Sequence, residues 1–367
     1  FQDGTPPFLP TGGEFRLDAG GNPEARGGRD APFVVTFPKR AMPAAGFPLL
    51  FYVHGTGGLS TQVYARGEED ADGAVDEDGG PAEIAAERGW GASGMGGFLS
   101  VEHLGALSLD GYVYNNIFNP PAMRDNFMQM VAEHMLFRRL LLDLRVDPAL
   151  CPGADASAAP DGRLRFDPGM NAVIGQSLGG FLTSLLMAVE PMPWQGAIPL
   201  ATGGTWTLFP LEAEDPPLGE LVEDLLLDLP EGEHLDPWHP VLAAVQMALG
   251  PSENTRFLRY VLRAPVRGRA APHVLHIQGY KDLQTSTGLQ RPVVSALGVD
   301  MVGPEVGPFP DGQILPAVLL AGGRQLPYPA SLNVEVPGQG PRTAVVARYE
   351  EDGVREGHYV SFQREEP

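Results

Sequence analysis

The stretch MNAVIGQSLGGFLTSLLMAV, residues 170–189, decides the fold. Its first part, residues 170–175, is a short apolar run that ends in glycine, as buried strands do. Its second part, residues 178–189, has the length and apolar content of a helix packed on a core. The pattern G-x-S-x-G, residues 175–179, joins the two parts. The sequence therefore predicts a tight strand-to-helix turn with Ser177 at its tip.

The glycines and the serine of this turn have a physical reason to occur together. A serine that attacks a carbonyl group must stand clear of the sheet on a strained turn. Gly175 and Gly179 carry no side chain where one would collide with the neighbouring strand or helix. The first N–H groups of the following helix favour developing negative charge. Ser177 is therefore the candidate nucleophile, and a glycine-rich turn without chemistry is the alternative.

Strand and helix patterns alternate on both sides of this turn. Short apolar runs bounded by glycine or proline predict strands, and Asn119 followed by two prolines predicts the start of a long helix. The alternation predicts an α/β fold with a mostly parallel central sheet flanked by helices. The predicted strands are residues 32–37, 48–54, 170–175, 196–200, 273–279 and 343–349, and the predicted helices here are residues 120–144 and 178–189.

The pattern changes between residues 206 and 265. Residues 218–229 and 240–249 have the spacing of amphipathic helices, and no strand pattern lies between them. A helical insertion of this kind suits a cap on a sheet fold. The sequence thus predicts one domain over residues 1–367, with a helical cap at residues 206–265 inserted into it.

Composition excludes several classes of function. The 25 Lys and Arg residues against 46 Asp and Glu residues give a formal net charge of −21. An acidic surface repels phosphate backbones and anionic lipids, so nucleic acids and anionic membranes are poor partners. The single cysteine, Cys151, allows neither an intrachain disulfide nor a cysteine-ligated zinc site. No apolar run approaches the ~20 residues of a membrane-spanning helix.

An acidic stretch, residues 67–80, follows the second predicted strand. Asp70, Asp72, Asp76 and Asp78 are spaced loosely like the ligands of a calcium loop, but the closing glutamate of an EF-hand is missing. The sequence favours a solvated loop here, with a calcium site as the alternative. It indicates no other cofactor.

A glycine-rich loop, His-Gly-Thr-Gly-Gly at residues 54–58, follows the same strand. Glycines let the backbone approach a ligand and direct its N–H groups at a developing oxyanion. Where a nucleophilic serine lies on such a strand-to-helix turn, an early loop can supply one oxyanion donor, and the residue after the serine supplies the other. The candidates are Thr56 or Gly57 for the first donor, between which the sequence does not choose, and Leu178 for the second.

A nucleophilic serine needs a base, and the base needs an acid that orients it. The chain order expected for this fold is serine, then acid, then histidine. Asp282 follows the predicted strand 273–279, where its side chain would reach the carboxyl edge of the sheet. His358 is the histidine that follows Asp282, in a loop after the last predicted strand. We therefore expect a Ser177, Asp282 and His358 triad.

These motifs resemble those of α/β-hydrolase-fold serine esterases and lipases, in particular secreted bacterial lipase-like hydrolases. The resemblance spans roughly residues 32–362 and implies that fold and a serine-based hydrolysis. The chain departs from the family pattern at Gln176, where histidine is common, and in about 60 residues of predicted loop after Asp282. The stretches that carry the resemblance are HGTGG (54–58), NPPAMRDNFMQMVAEH (119–134), GQSLGG (175–180), DPWHPVLAAVQMALGPSENTRFLRYV (236–261), GYKD (279–282) and GHYV (357–360).

A triad of this type predicts hydrolysis of carboxylic esters through an acyl-enzyme. The expected substrates are neutral, such as small esters, lipids or polyesters, because the acidic surface disfavours anions. Gln176, Trp206 and Trp238 are the candidate substrate contacts. An amidase or peptidase that uses the same triad is one alternative, and a binding protein with an inactive hydrolase fold is another.

The start of the chain and its assembly complete the sequence-based expectations. The chain begins at Phe1 rather than methionine. Together with the resemblance, this start predicts a removed leader and a secreted or cell-envelope protein. The sequence makes no prediction of the oligomeric state.

Overall fold

A computed structural model of the protein describes residues 1–68, 70, 74–76, 79–223, 229 and 233–363. Its strands are β1 (Phe33–Thr36), β2 (Phe47–Val53), β3 (Gly91–Met95), β4 (Phe166–Gln176), β5 (Gly196–Leu200), β6 (His273–Gly279), β7 (Asp300–Val302), β8 (Gln325–Leu326), β9 (Val334–Val336), β10 (Gly340–Arg342) and β11 (Ala344–Tyr349). Its α-helices are α1 (Pro81–Glu87), α2 (Val101–Leu104), α3 (Pro120–Asp143), α4 (Leu178–Val189), α5 (Phe209–Glu212), α6 (Leu218–Val222), α7 (Pro240–Leu249), α8 (Asn254–Leu262), α9 (Thr287–Leu297) and α10 (Leu315–Leu320). Segments of 3-10 helix lie at Ser60–Val63, Gly105–Asn115, Pro148–Leu150, Gly250–Ser252 and Gly357–Phe362.

A nine-stranded sheet runs through the centre of the protein in the order β1-β3-β2-β4-β5-β6-β11-β7-β8. Strand β1 runs antiparallel to β3, and the other neighbouring pairs run parallel. Strands β9 and β10 form a separate antiparallel pair. The predicted α/β fold with a mostly parallel central sheet flanked by helices is confirmed.

Helices cover both faces of this sheet, as the residues of β2 show. Alternate side chains of a strand point to opposite faces. Leu49, Phe51 and Val53 belong to the large core that α3 and α4 complete. Tyr52 belongs to a smaller cluster that includes Ala82 of α1. Burial on both faces explains why β2 is apolar along its whole length.

The long helix α3 begins and ends close to its predicted bounds. The Asn119 side chain accepts the N–H of Ala122 at 3.4 Å, and Pro120 occupies the first helical position. These are the capping features that predict the helix start. Helix α3 packs on α4, α4 on α8 and α8 on α9, so the four helices form one layer. None of the described helices combines the length and the apolar character that a membrane crossing requires.

Helices α5 to α8 lie between β5 and β6, in the region of the predicted cap. Helix α7 has its predicted bounds, and α6 begins at the predicted residue. The rest of the predicted helix 218–229 falls largely on residues 224–228, which lie outside the described residues. Helix α8 packs with α4 and α9, in the layer that covers the sheet. The division into a sheet domain and a cap stays a prediction.

The chain between Asp282 and the last strand differs from the loop that the sequence predicts. This part of the chain forms α9, β7, α10, β8, β9 and β10. Asp300, which lies within the predicted loop, begins β7 and forms an ion pair with Arg324 at 3.3 Å. The predicted loop after Asp282 therefore contains regular structure, and β7 and β8 belong to the central sheet.

The strand order fixes where a ligand can bind. Strand β2 pairs with β3 on one side and with β4 on the other, so the order of strands reverses beside β2. In open parallel sheets, ligands bind outside the carboxyl ends of the strands at such a point. The loop 54–58 follows β2, and Ser177 follows β4. The structure thus brings these two sequence motifs to the same edge of the sheet.

Candidate active site

Ser177 lies between Gln176, the last residue of β4, and Leu178, the first residue of α4. Its backbone has a φ of 59° and a ψ of −124°. Such a conformation costs a residue with a side chain about 1–3 kcal/mol, so neighbouring contacts must hold it. The N–H of Ser177 donates to the carbonyl of Leu200 at 3.0 Å, and the carbonyl of Ser177 accepts the N–H of Phe181 at 3.0 Å. The strained turn presents the serine between strand and helix.

The two glycines of the motif allow this turn to pack closely. A Cβ atom on Gly179 would lie 2.0 Å from the carbonyl oxygen of Val53, and one on Gly175 would lie 2.3 Å from the carbonyl oxygen of Gly179. No side chain fits at such distances. The steric reason for the G-x-S-x-G pattern is therefore present in the structure.

The glycine-rich loop passes directly beside Ser177. A Cβ atom on Gly55 would lie 3.3 Å from the Cβ atom of Ser177. His54 fixes the loop, because its Nδ1 lies 2.8 Å from the carbonyl oxygen of Gly55 and its Nε2 accepts the N–H of Gly97 at 3.4 Å. Burial lowers the pKa of His54, which keeps the ring neutral in this role. His54 is thus a support for the loop.

The predicted oxyanion donors belong to two segments, the first turn of α4 and the glycine-rich loop 54–58. Leu178 begins α4, and the first N–H groups of a helix have no partner within it. Gly57 lies against the 3-10 segment 105–115, since a Cβ atom on Gly111 would lie 2.3 Å from the nitrogen of Gly57. Thr56 is exposed. Thr56 and Gly57 both remain candidates for the first donor.

Asp282 and His358 are in contact although they lie far apart in sequence. Nδ1 of His358 lies 3.0 Å from each carboxylate oxygen of Asp282. The carboxylate also accepts the N–H groups of Gln284 and Thr285 at 3.0 and 2.6 Å and the hydroxyl of Thr285 at 2.5 Å. Both side chains are buried. This arrangement fixes the ring so that Nδ1 carries the proton and Nε2 is the basic nitrogen.

Glu356 is a further residue of this site, and the sequence analysis missed it. Its Oε2 accepts the N–H of His358 at 2.8 Å and the N–H of Leu283 at 3.0 Å. One carboxylate oxygen therefore joins the histidine loop to the loop that carries Asp282. Burial raises the pKa of Glu356, and the nearby charge of Asp282 raises it further. The only local signal was an acidic residue at the cap of the 3-10 turn that holds His358.

Gln176 links the nucleophile turn to the histidine loop. It is buried, and its Nε2 donates to the carbonyl of His358 at 3.2 Å. Its predicted contact with substrate stays a prediction. Among the described residues, no hydrogen bond joins the Ser177 hydroxyl to His358. Catalytic hydrogen bonds are commonly loose without substrate and form when it binds.

The two candidate tryptophans lie in different environments. Trp206 is buried in an aromatic cluster, with ring centroids 4.9 Å from Phe127, 5.3 Å from Phe181 and 5.8 Å from Phe209. This cluster belongs to the main core, so packing accounts for the burial of Trp206. Trp238 is 89% exposed, and its side chain contributes to the surface. A substrate contact for either residue stays a prediction.

The acidic stretch is described only in part. Asp70 and Asp76 are described, whereas Asp72 and Asp78 lie outside the described residues. Over the part of the chain that the structure describes, no group of three or more His, Cys, Asp and Glu side chains is arranged to hold a metal ion.

Comparison with known proteins gives structural similarity without sequence similarity. No family model matches the chain, and a search of curated proteins finds no match. A puromycin-hydrolysing peptidase of Mycobacterium tuberculosis aligns at 13% identity over 90% of this chain and 34% of its own, with a TM-score of 0.45. An acetyl xylan esterase from Paenibacillus sp. R4 aligns at 12% identity over 81% of this chain and 72% of its own, with a TM-score of 0.41. The acylaminoacyl peptidase of Pyrococcus horikoshii aligns at 10% identity over 95% of this chain and 37% of its own, with a TM-score of 0.46. The chain thus spans about a third of the length of the two peptidases.

Proposed function

We propose that this protein is a serine hydrolase that cleaves carboxylic esters through an acyl-enzyme on Ser177. One observation carries the proposal. The buried Asp282–His358 pair lies after β6 and β11, at the same carboxyl edge of the sheet as the strained turn of Ser177 after β4. A base held by an acid, beside a serine on a strained turn, is the arrangement that activates a hydroxyl group.

In the proposed acylation step, the Ser177 hydroxyl oxygen attacks the carbonyl carbon of the ester, and Nε2 of His358 takes the hydroxyl proton. The carbonyl electrons move onto oxygen, which accepts the N–H of Leu178 and the N–H of Thr56 or Gly57. The tetrahedral intermediate then collapses. The bond to the alcohol oxygen breaks, and that oxygen takes the proton from His358 and leaves as an alcohol.

In the proposed deacylation step, a water molecule attacks the acyl-enzyme. His358 takes a proton from the water, and the acid is released when the bond to Ser177 breaks and the serine oxygen regains a proton. Asp282 stays ionised throughout and stabilises the imidazolium that forms in each half of the cycle. Glu356 and Gln176 hold the histidine loop in place through the backbone of His358.

Labelling with a fluorophosphonate tests the proposal. We expect one covalent adduct on Ser177, and none in Ser177→Ala, whose ester turnover should fall at least about a thousandfold. Ser157→Ala is the control, because Ser157 is exposed and its hydrogen bonds go to the nearby Asp155. Retained turnover in Ser177→Ala would show that the nucleophile is another residue. A wild-type protein without adduct or turnover would support a binding protein instead.

Two substrate comparisons define the reaction further. A matched ester and amide of the same acyl group separate an esterase from an amidase or peptidase, because an amine leaves less readily and needs better protonation. We expect the ester to be cleaved much faster. A series of chromogenic esters of rising acyl length, beside an emulsified triglyceride and a polyester film, separates esterase, lipase and polymer hydrolase.

A further inference from the structure

A cavity of about 320 Å³ lies between two segments that continue from the candidate active site. This volume is at the lower end of the range for ligand pockets, roughly 300–1,000 Å³, and suits a small chemical group. The side chains around it include two arginines and two aromatic rings. The lining residues used below are Gln62, Arg66, Arg355, Tyr359 and Phe362.

The first wall of the cavity continues from the glycine-rich loop. The loop 54–58 is followed by the 3-10 segment Ser60–Val63, and this segment carries Gln62. A Cβ atom on Gly58 would lie 2.6 Å from Oε1 of Gln62, so the side chain of Gln62 packs directly on the loop. Arg66 follows on the same wall.

The second wall continues from the histidine loop. Tyr359 and Phe362 share the 3-10 segment Gly357–Phe362 with His358. The rings of His358 and Tyr359 pack edge to face, with centroids 5.4 Å apart and an interplanar angle of 83°. Tyr359 therefore contacts both the ring of the proposed base and the cavity.

Two arginines line the cavity, and each stacks on one of its aromatic rings. The guanidinium of Arg66 lies 4.5 Å from the ring centroid of Phe362, and that of Arg355 lies 3.6 Å from the ring centroid of Tyr359. Over the described ranges, Arg66 forms no ion pair with a carboxylate. Because the guanidinium of Arg66 stacks on the face of Phe362, its in-plane N–H donors can meet a planar acceptor. A carboxylate is the acceptor that matches this fork of donors.

We propose that this cavity binds a carboxylate carried by the substrate, so that the preferred esters bear a free carboxylate near the bond that is cleaved. Monoesters of dicarboxylic acids belong to this class. The inference rests on the proposed function of Ser177. It departs from the expectation of neutral substrates, which was drawn from the net charge of −21. Exposed charges beyond about 10 Å are largely screened by salt, whereas charges that line a cavity are screened much less.

Two matched pairs of substrates test the inference. In the first pair, 4-nitrophenyl hydrogen adipate carries the carboxylate on the acyl side, and its methyl ester is the neutral counterpart. In the second pair, 3-carboxyphenyl butyrate carries the carboxylate on the alcohol side, and the methyl ester of that carboxyl group is the neutral counterpart. We expect wild-type kcat/KM to favour the charged member of at least one pair, with spontaneous hydrolysis subtracted. Equal or lower values for the charged member of both pairs would overturn the inference.

Substitution of Arg66 locates the effect. Arg66→Gln should lower kcat/KM for the preferred charged substrate roughly tenfold, mainly through KM, and change that of the neutral one less than about twofold. Arg66→Lys should recover part of the loss, because it keeps the charge without the planar fork. Arg163→Gln is the control. It removes one positive charge from an exposed ion pair with Asp147 and should leave kcat/KM unchanged for both substrates. Equal losses for charged and neutral substrates in Arg66→Gln would overturn the inference.

The outcome separates this inference from the proposed function. Turnover of the neutral esters without a preference for the charged ones leaves the proposed function standing and removes the carboxylate site. If no ester is cleaved, the proposed function fails, and titration calorimetry with monomethyl adipate then decides the question of the cavity. Binding that weakens in Arg66→Gln supports the site, and binding that is absent or unchanged overturns it.

Discussion

The side-chain amide of Gln176 donates to the backbone carbonyl of His358 at 3.2 Å. Gln176 is the residue before the candidate nucleophile, and His358 is the candidate base. The two residues come from strand ends that β5 and β6 separate in the sheet. This hydrogen bond therefore joins the nucleophile half of the site to the acid–base half.

Gln176→Ala should lower kcat for esters by about tenfold, because displacement of the histidine loop moves Nε2 away from the serine hydroxyl. The rate of fluorophosphonate labelling should fall in parallel, while KM and the melting temperature change little. Gln363→Ala is the control, since that exposed amide donates to the carbonyl of Glu350. A wild-type kcat in Gln176→Ala would contradict a positioning role.

Glu356→Ala should destabilise the fold and lower kcat, whereas Glu356→Gln should stay near wild type in both. Alanine leaves the N–H groups of Leu283 and His358 without their acceptor, at about 1–3 kcal/mol for each buried group. Glutamine keeps one oxygen in the same place. Urea unfolding and ester kinetics measure the two effects, with the exposed Glu350→Ala as control. Equal losses in both variants of Glu356 would show that charge rather than hydrogen bonding is required.

The pH dependence of stability should also distinguish Glu356 from glutamine. The ordinary pKa of this carboxyl is 4.5, and the folded state raises it. Between these two values the folded state binds more protons than the unfolded state, so stability falls as pH rises. The unfolding free energy of the wild type should therefore decline relative to that of Glu356→Gln as pH rises from about 4.5 through the raised pKa. A constant difference between the two proteins across this window would show that Glu356 is not perturbed.

Gly179→Ala should abolish ester turnover and destabilise the fold by about 3 kcal/mol or more. The added methyl group would lie 2.0 Å from the carbonyl oxygen of Val53, so either α4 or β2 must move. Gly196→Ala is the matched control, because its Cβ would meet only the side chain of Ala172, at 3.6 Å. Thermal unfolding and ester assays of both variants provide the measurement. A stable, active Gly179→Ala protein would contradict the close packing of the turn.

Acid should destabilise the protein through its buried histidines. Burial lowers the pKa of His134 to about 4 and that of His276 to about 4, from an ordinary value of 6.5. Between pH 6.5 and 4 the unfolded state binds more protons, so the unfolding free energy falls as pH falls. Over this pH range, each histidine lowers the unfolding free energy by at most about 3 kcal/mol. In His134→Leu, the unfolding free energy measured by chemical denaturation should fall less steeply as pH falls. The same pH dependence as in the wild type would contradict the effect of burial on this histidine.

The sequence predicts the elements whose signal is local. Helix α4 and strands β5 and β6 have their predicted bounds, because each is an apolar run of the right length between glycine, proline or polar residues. Strand β3 carries no such signal, since GASGM at Gly91–Met95 consists mainly of small residues. It becomes a strand through its pairing with β1 and β2 and through complete burial. Strand β7 begins at Asp300, whose partner Arg324 is distant in sequence.

The candidate site also combines residues that a local motif predicts with residues whose partners are distant in sequence. Motif spacing brings Ser177, Asp282 and His358 to one edge of a sheet, and the structure places them after β4, β6 and β11. Glu356 could not be predicted in this way, because its partner Leu283 is 73 positions away in sequence. The aromatic cluster around Trp206 could not be predicted either, because its rings come from α3, α4 and α5. The roles of these residues in catalysis, the calcium alternative and export of the protein stay predictions.

The position of β11 in the sheet has a consequence for biosynthesis. This strand comes late in the chain, yet it lies between β6 and β7 and pairs with both. Until residues 344–349 leave the ribosome, β6 and β7 each present an open edge on a half-finished sheet. Open edges of this kind recruit strands from other chains and promote aggregation. A stop codon before residue 344 should therefore yield a nascent product that depends on chaperones and is degraded, rather than a smaller folded protein.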